Sequence, residues 1–168
     1  MAMQGSKNLF PERRHMSHET LKSPIPLPAA ASLLRYGPPL PLAMAKKVMA
    51  GAEAEAMRND WPMVIAIVDS TGHLVMLHKL DQAQYGSVAI AQAKAETALN
   101  FRRPTKVFED MLGGGGKGLR VLSMAGVTAL EGGIPLIVNG EIVGAIGVSG
   151  MQSTQDAEVA QAGAAAIA

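Results

Sequence analysis

Cysteine is missing altogether from the 168 residues, which excludes disulfides, thiolate metal sites and thiol nucleophiles and accords with a reducing, cytoplasmic compartment. Charge of one sign is missing too. Fifteen basic residues face fourteen acidic ones, for a formal charge of +1, and the basic residues are scattered, so a nucleic-acid partner has no electrostatic footprint. No stretch approaches the ~18 unbroken apolar residues of a membrane helix, and Met1 to Arg14 lack the apolar core of a secretory signal. Export and membrane insertion are not expected. Aromatics are scarce, at one Trp, two Tyr and three Phe. The Ala-, Gly- and Met-rich remainder suits closely packed helices, adaptable apolar surfaces and the subunit contacts of a homo-oligomer.

The length fits one domain plus a tail, at roughly 100–200 residues per domain. Residues 1–40 mix charges with six of the ten prolines and read as an extended arm. His15 and His18 lie in it without a third metal ligand, so no metal site is expected there. From Pro41 a helical pattern runs through Leu42, Ala45, Met49, Ala52 and Ala56 to about Arg58. Met63 to Asp69 is a continuous apolar run of core-strand length. Ser70 to His73 makes a turn, and Leu74 to Asp81 returns as the second strand of a hairpin.

A second helix covers about Ser87 to Phe101 and stops before Pro104, and a short helix from Thr105 to Leu112 follows. Gly113 to Gly118 reads as a mobile loop, a candidate lid. It is not a nucleotide-binding loop: Met111 stands where that motif needs glycine, and Gly118 where it needs Ser or Thr. Ile134 to Val138 and Glu141 to Ser149 flank Asn139-Gly140, a strong hairpin signal. Ser153 to Asp156 resembles a capping box before an Ala-rich helix. Two antiparallel hairpins with helices before, between and after them predict an α/β (α+β) domain, a mainly antiparallel sheet covered by helices.

Lys94 is the most informative position. Helical spacing puts it amid Ile90, Phe101, Ser87, Ala98, Ala91, Ala95, Val88 and Leu99 on the apolar face, where an ammonium needs a partner. It either snorkels or pairs structurally, or it holds an anionic ligand or acts as a tuned acid or base. Asp81 at the end of the hairpin is a candidate to face it, with Lys79 two residues away. His78 lies on a strand face with Leu74, Met76 and Leu80, as a core or interface residue or as a haem ligand. Glu131, just before Gly132-Gly133, is a general-base candidate or an exposed loop carboxylate.

The stretches IAIVDSTGHLV, KLDQA followed by SVAIAQAKAETA, and GGIPLIVNGEIVGAIGVSG resemble the GlcG/HbpS family and the C-terminal domain of PduO proteins, a group often called haem-binding or haem-degrading. The resemblance implies a profilin-like fold of about five strands flanked by helices, commonly assembled into homo-oligomers. It marks Asp81, Ser87, Lys94, Thr97, Gly132, Gly133, Pro135, Gly147 and Gly150. Lys79 stands where the family usually has Arg, and Glu131 is not typical of it. The long proline-rich arm, with Tyr36-Gly37-Pro38-Pro39, is similar to a subgroup containing hydroxylaminobenzoate lyases. Two functions follow as expectations. One is a small-molecule pocket for haem or a small organic acid, with His78, Lys79, Ser87, Thr97, Gly132, Gly133, Pro135 and Gly147 around it. The other is a cofactor-free lyase on a hydroxylamino-aromatic carboxylate such as 4-hydroxylaminobenzoate, releasing ammonia, with Lys94 holding an anion and Glu131 or Asp81 moving protons.

Overall fold

A computed structural model describes residues 34–168; His15 and His18 lie outside them. Among the described residues, nine elements of α or β structure follow in order: β1 (Arg35–Tyr36), α1 (Leu42–Arg58), β2 (Val64–Asp69), β3 (Leu74–Lys79), α2 (Ser87–Phe101), α3 (Lys106–Gly113), β4 (Gly133–Val138), β5 (Glu141–Ser149) and α4 (Ser153–Ala165). A 3-10 segment, Gly116–Ser123, joins α3 to the loop before β4. β5 is the spine of the five-stranded sheet: β4 runs antiparallel along one side, while β2 and the short parallel β1 share the other, and β3 closes the far edge beside β2.

Alternation along β2 explains the layering, because a core strand sends successive side chains to opposite faces. Ile65 and Ile67 join Val48, Met49, Ala52, Val159 and Ala160 under α1 and α4. Val64 and Ala66 meet Ala91, and Val68 meets Ala95, Ala98 and Leu99, under α2 on the opposite face. The small residues of α2 let it lie almost on the sheet. A Cβ added at Gly147 would stand 2.1 Å from the Ala91 carbonyl oxygen, and one at Gly133 would stand 2.3 Å from that of Lys94.

The second hairpin turns as its sequence predicts, with Asn139 and Gly140 both at positive φ, 51° and 79°, the geometry of a type I′ turn. Pro135 is tolerated within β4 because that strand pairs on one side only. Three local expectations change. The Gly113–Gly118 run is not a free loop: Gly113 ends α3, and the N–H groups of Gly114, Gly115 and Gly118 are bonded to nearby carbonyls. The residue before α4 is Gln152 rather than Ser153, and Gln155 Oε1 accepts the Gln152 N–H at 3.2 Å.

The third concerns residues 34–40, which are docked. Gly37 and Leu40 donate their N–H groups to Ile142 and Val143, Leu40 is buried, and the Tyr36 hydroxyl donates to the Leu99 carbonyl at the end of α2.

Candidate functional site

Lys94 is 1% exposed, as its place on the apolar face of α2 requires. Its partner is Asp156, in the first turn of α4, and not Asp81. The Lys94 ammonium donates to Asp156 Oδ2 at 2.6 Å and to the Val148 carbonyl at 2.9 Å. The other carboxylate oxygen of Asp156 accepts the Met151 N–H at 3.1 Å. Burial pushes the Asp156 carboxyl up, against the pull of the Lys94 ammonium and the neighbouring N–H groups. Gly132 closes this chamber at φ 122°, and a Cβ there would come within 2.9 Å of Lys94 Nζ and 2.8 Å of the Asp156 Cβ. The arrangement is sealed and satisfied. It ties α2, β5 and α4 together.

Other marked residues belong to the same packing. Thr97 Oγ1 donates to the Gly126 carbonyl and accepts the Thr128 N–H, pinning the loop before β4 to α2. The Gly133 N–H is held by Thr105 Oγ1, and buried Ser87 and Ser149 meet at 3.2 Å. Glu131 turns elsewhere. Its backbone N–H is bonded to the Glu109 carboxylate, and its own carboxylate lies 3.7 Å from Lys106, whose pKa is raised by its bond to Asp110 and by the charge of Glu131. Lys94, Glu131 and Asp81 share no hydrogen bond or ion pair, so the structure does not assemble the three acid–base candidates into one site.

An open depression of about 610 Å³ lies between the end of α1 and the exit of β3, walled by Met57, Trp61, Pro62 and Leu80 with Lys79 and Asp81 at its polar side. A smaller one of about 420 Å³ adjoins it across Lys79 and Gln82 and reaches Tyr85. The Lys79 ammonium stands 5.6 Å from the Tyr85 ring centroid, within cation–π range. Asp81 is exposed here, far from the role of partner to Lys94 that the sequence offered it.

His78 lies two residues before Leu80, outside the residues that line this depression. Its Nδ1 meets Glu53 Oε1 at 2.6 Å. Glu53 and Met57 are one helical turn apart on α1, which places them on one side of that helix. Met57 lines the depression, whereas neither His78 nor Glu53 is among its lining residues. A histidine with one ring nitrogen committed to a carboxylate and the other unbonded among the described residues matches the donor chemistry of a haem or metal ligand. The apolar walls and Lys79 suit an amphipathic ligand with an acidic group, while the imidazole of His78 lies outside the lining. Sequence reasoning missed Glu53, because an acid on an Ala-rich helix reads as solvated. It also missed Asp156 as a partner, because an acid beside a capping signal reads as part of the cap.

A family model described as haem degrading protein, HbpS-like, matches residues 40–165. Protein GlcG of Escherichia coli strain K12 is 42% identical over 106 residues, covering 63% of this chain and 78% of GlcG. A crystal structure of HbpS superimposes with a TM-score of 0.72 at 28% identity, covering 82% of this chain and 96% of that one. A crystal structure of a PduOC–haem complex superimposes with a TM-score of 0.69 at 28% identity, covering 77% and 95%.

Proposed function

The chain belongs to the HbpS-like family, and from that membership we propose that it binds haem, with His78 as the residue that would hold the iron. The observation that supports this reading is the part-exposed His78, whose Nδ1 meets Glu53 at 2.6 Å and whose Nε2 has no hydrogen bond among the described residues. The depression's volume of about 610 Å³ lies within the ~300–1,000 Å³ of ordinary ligand pockets. Trp61, Leu80 and Met57 supply apolar surface, and Lys79, exposed and free of ion pairs among the described residues, is suited to a propionate. Bound haem would supply iron ligation and redox chemistry; the chain's own residues hold, orient and partly shield it. The similarity to a protein crystallised as a haem complex supports this reading.

Titration of the purified protein with haemin tests it. The expected result is a saturable Soret shift at one haem per chain that His78→Ala weakens about tenfold or more, a loss of at least 1.4 kcal/mol. No Soret change at micromolar haemin, or an unaltered titration in His78→Ala, overturns it. Ammonia released from 4-hydroxylaminobenzoate in the absence of haem would replace it with the lyase reading.

A further inference from the structure

The depression at the end of α1 holds three charges that the fold does not use. Lys79, Asp60 and Asp81 all line it, and among the described residues none of the three has an ion pair or a side-chain hydrogen bond. Their apolar backdrop is fixed. Trp61 donates its N–H to the Ala56 carbonyl, Leu80 donates to that of Met63, and both side chains pack on the main core. The rims owe their shape to the backbone. Asp60 follows the C-cap of α1 at φ 55°, a left-handed position where glycine is the ordinary residue, and Gln82 takes φ 64° after β3. Both residues line the depression. Each keeps a polar side chain where glycine would relieve the backbone, and local strain of this kind gathers at ligand sites.

The charges decide what class of ligand fits. A plain acid would satisfy Lys79 and meet two carboxylates, whereas a plain amine would satisfy the aspartates and meet the ammonium. A molecule with a carboxylate and an ammonium on an apolar body satisfies all three charges through charge-assisted hydrogen bonds. We propose that this depression binds a free amino acid with an aromatic or branched apolar side chain, its carboxylate on Lys79, its ammonium on Asp60 and Asp81, and its side chain against Trp61 and Leu80. Such a ligand needs neither iron nor His78. The proposal stands apart from the haem reading and shares only Lys79 with it.

Trp61 is the chain's one tryptophan, and because it forms part of the wall its emission reports occupancy directly. Titration of the full chain with phenylalanine is expected to give a saturable change in that emission at millimolar concentration or below. Phenylpropionate, which lacks the ammonium, and phenylethylamine, which lacks the carboxylate, should each bind at least about tenfold more weakly. Phenylalanine should lose affinity to the same degree in Lys79→Met and in Asp81→Asn, whose replaced side chains are exposed. The analogue comparison uses the unaltered protein and decides the matter whatever the stability of the variants. No saturable change with phenylalanine overturns the proposal, as does either analogue binding as tightly as phenylalanine, or an unaltered titration in a folded Lys79→Met protein. None of these outcomes bears on haemin, whose binding is read by its own Soret titration.

Discussion

Lys94 and Asp156 meet at 2.6 Å across sixty-two residues of sequence, with side chains 2% and 4% exposed. Each is costly in the interior without the other, and together with Val148 and Met151 they satisfy one another's charges and hydrogen bonds. The ion pair fixes where α4 starts relative to α2.

Replacing one member of the pair therefore exposes the cost of the other. Lys94→Met keeps the stem and strands the Asp156 carboxylate. The expected loss is about 3–5 kcal/mol in urea unfolding. The double variant Lys94→Met with Asp156→Leu removes both charges and should recover most of that loss, since apolar replacement of a buried pair is often neutral or stabilising. A single variant as stable as the unaltered protein would show that the ammonium reaches water.

Gly132→Ala should be costly for two separate reasons, the left-handed φ of 122° and the crowding of Lys94 Nζ and the Asp156 Cβ. Backbone strain alone is about 1–3 kcal/mol. The Lys94→Met background isolates one part of the crowding: losing Nζ there should shrink the effect of Gly132→Ala, and strict additivity would leave the cost to the backbone strain and to the Asp156 Cβ and Val148 carbonyl contacts.

How much of this was readable in the sequence varied with the range of the interaction. α2 spans Ser87–Phe101 as its spacing predicts, because helical periodicity and a proline stop are local signals. The Asn139-Gly140 hairpin was equally plain. Lys94 could be recognised as a charge needing a partner, yet nothing local pointed to Asp156, since pairing over sixty-two residues leaves no mark in spacing. β1 was hidden for another reason. Two residues in a proline-rich context carry no strand period, and their pairing with Glu141 and Ile142 exists only once β5 is in place. His78 was visible as a candidate and Glu53 was not, because their meeting at 2.6 Å depends on how α1 crosses β3.

The docked segment 34–40 predicts an asymmetry between two shortened chains. One that begins at Leu34 keeps Leu40 buried, the two N–H bonds to Ile142 and Val143, and the Tyr36 hydroxyl on the end of α2. One that begins at Pro41 loses all of these. Burial of one leucine side chain contributes about 1.5–3 kcal/mol, so the Pro41 chain should be less stable than the Leu34 chain by at least about 1.5 kcal/mol in chemical unfolding. Equal stability would show that residues 34–40 rest on the domain without holding it.

The turn between β2 and β3 carries a pH dependence whose sign follows from Asp69. Burial alone would raise its carboxyl, but the Thr71 hydroxyl and N–H and the His73 N–H all bond to the ionised form, and the net effect lowers its pKa below 3.8. A carboxyl with a depressed folded-state pKa contributes stability that is complete above its unfolded value. That contribution fades as pH falls through the folded value, where the protonated group surrenders the turn. Asp69→Asn keeps the side chain's shape and cannot ionise. Near neutral pH the variant should unfold at lower urea than the unaltered protein, and the gap should narrow as pH drops below 3.8. The gap should close once both states of the unaltered protein are protonated. A gap that stays constant into acid would mean that the turn is held by its backbone geometry and that the charge on Asp69 contributes nothing to it.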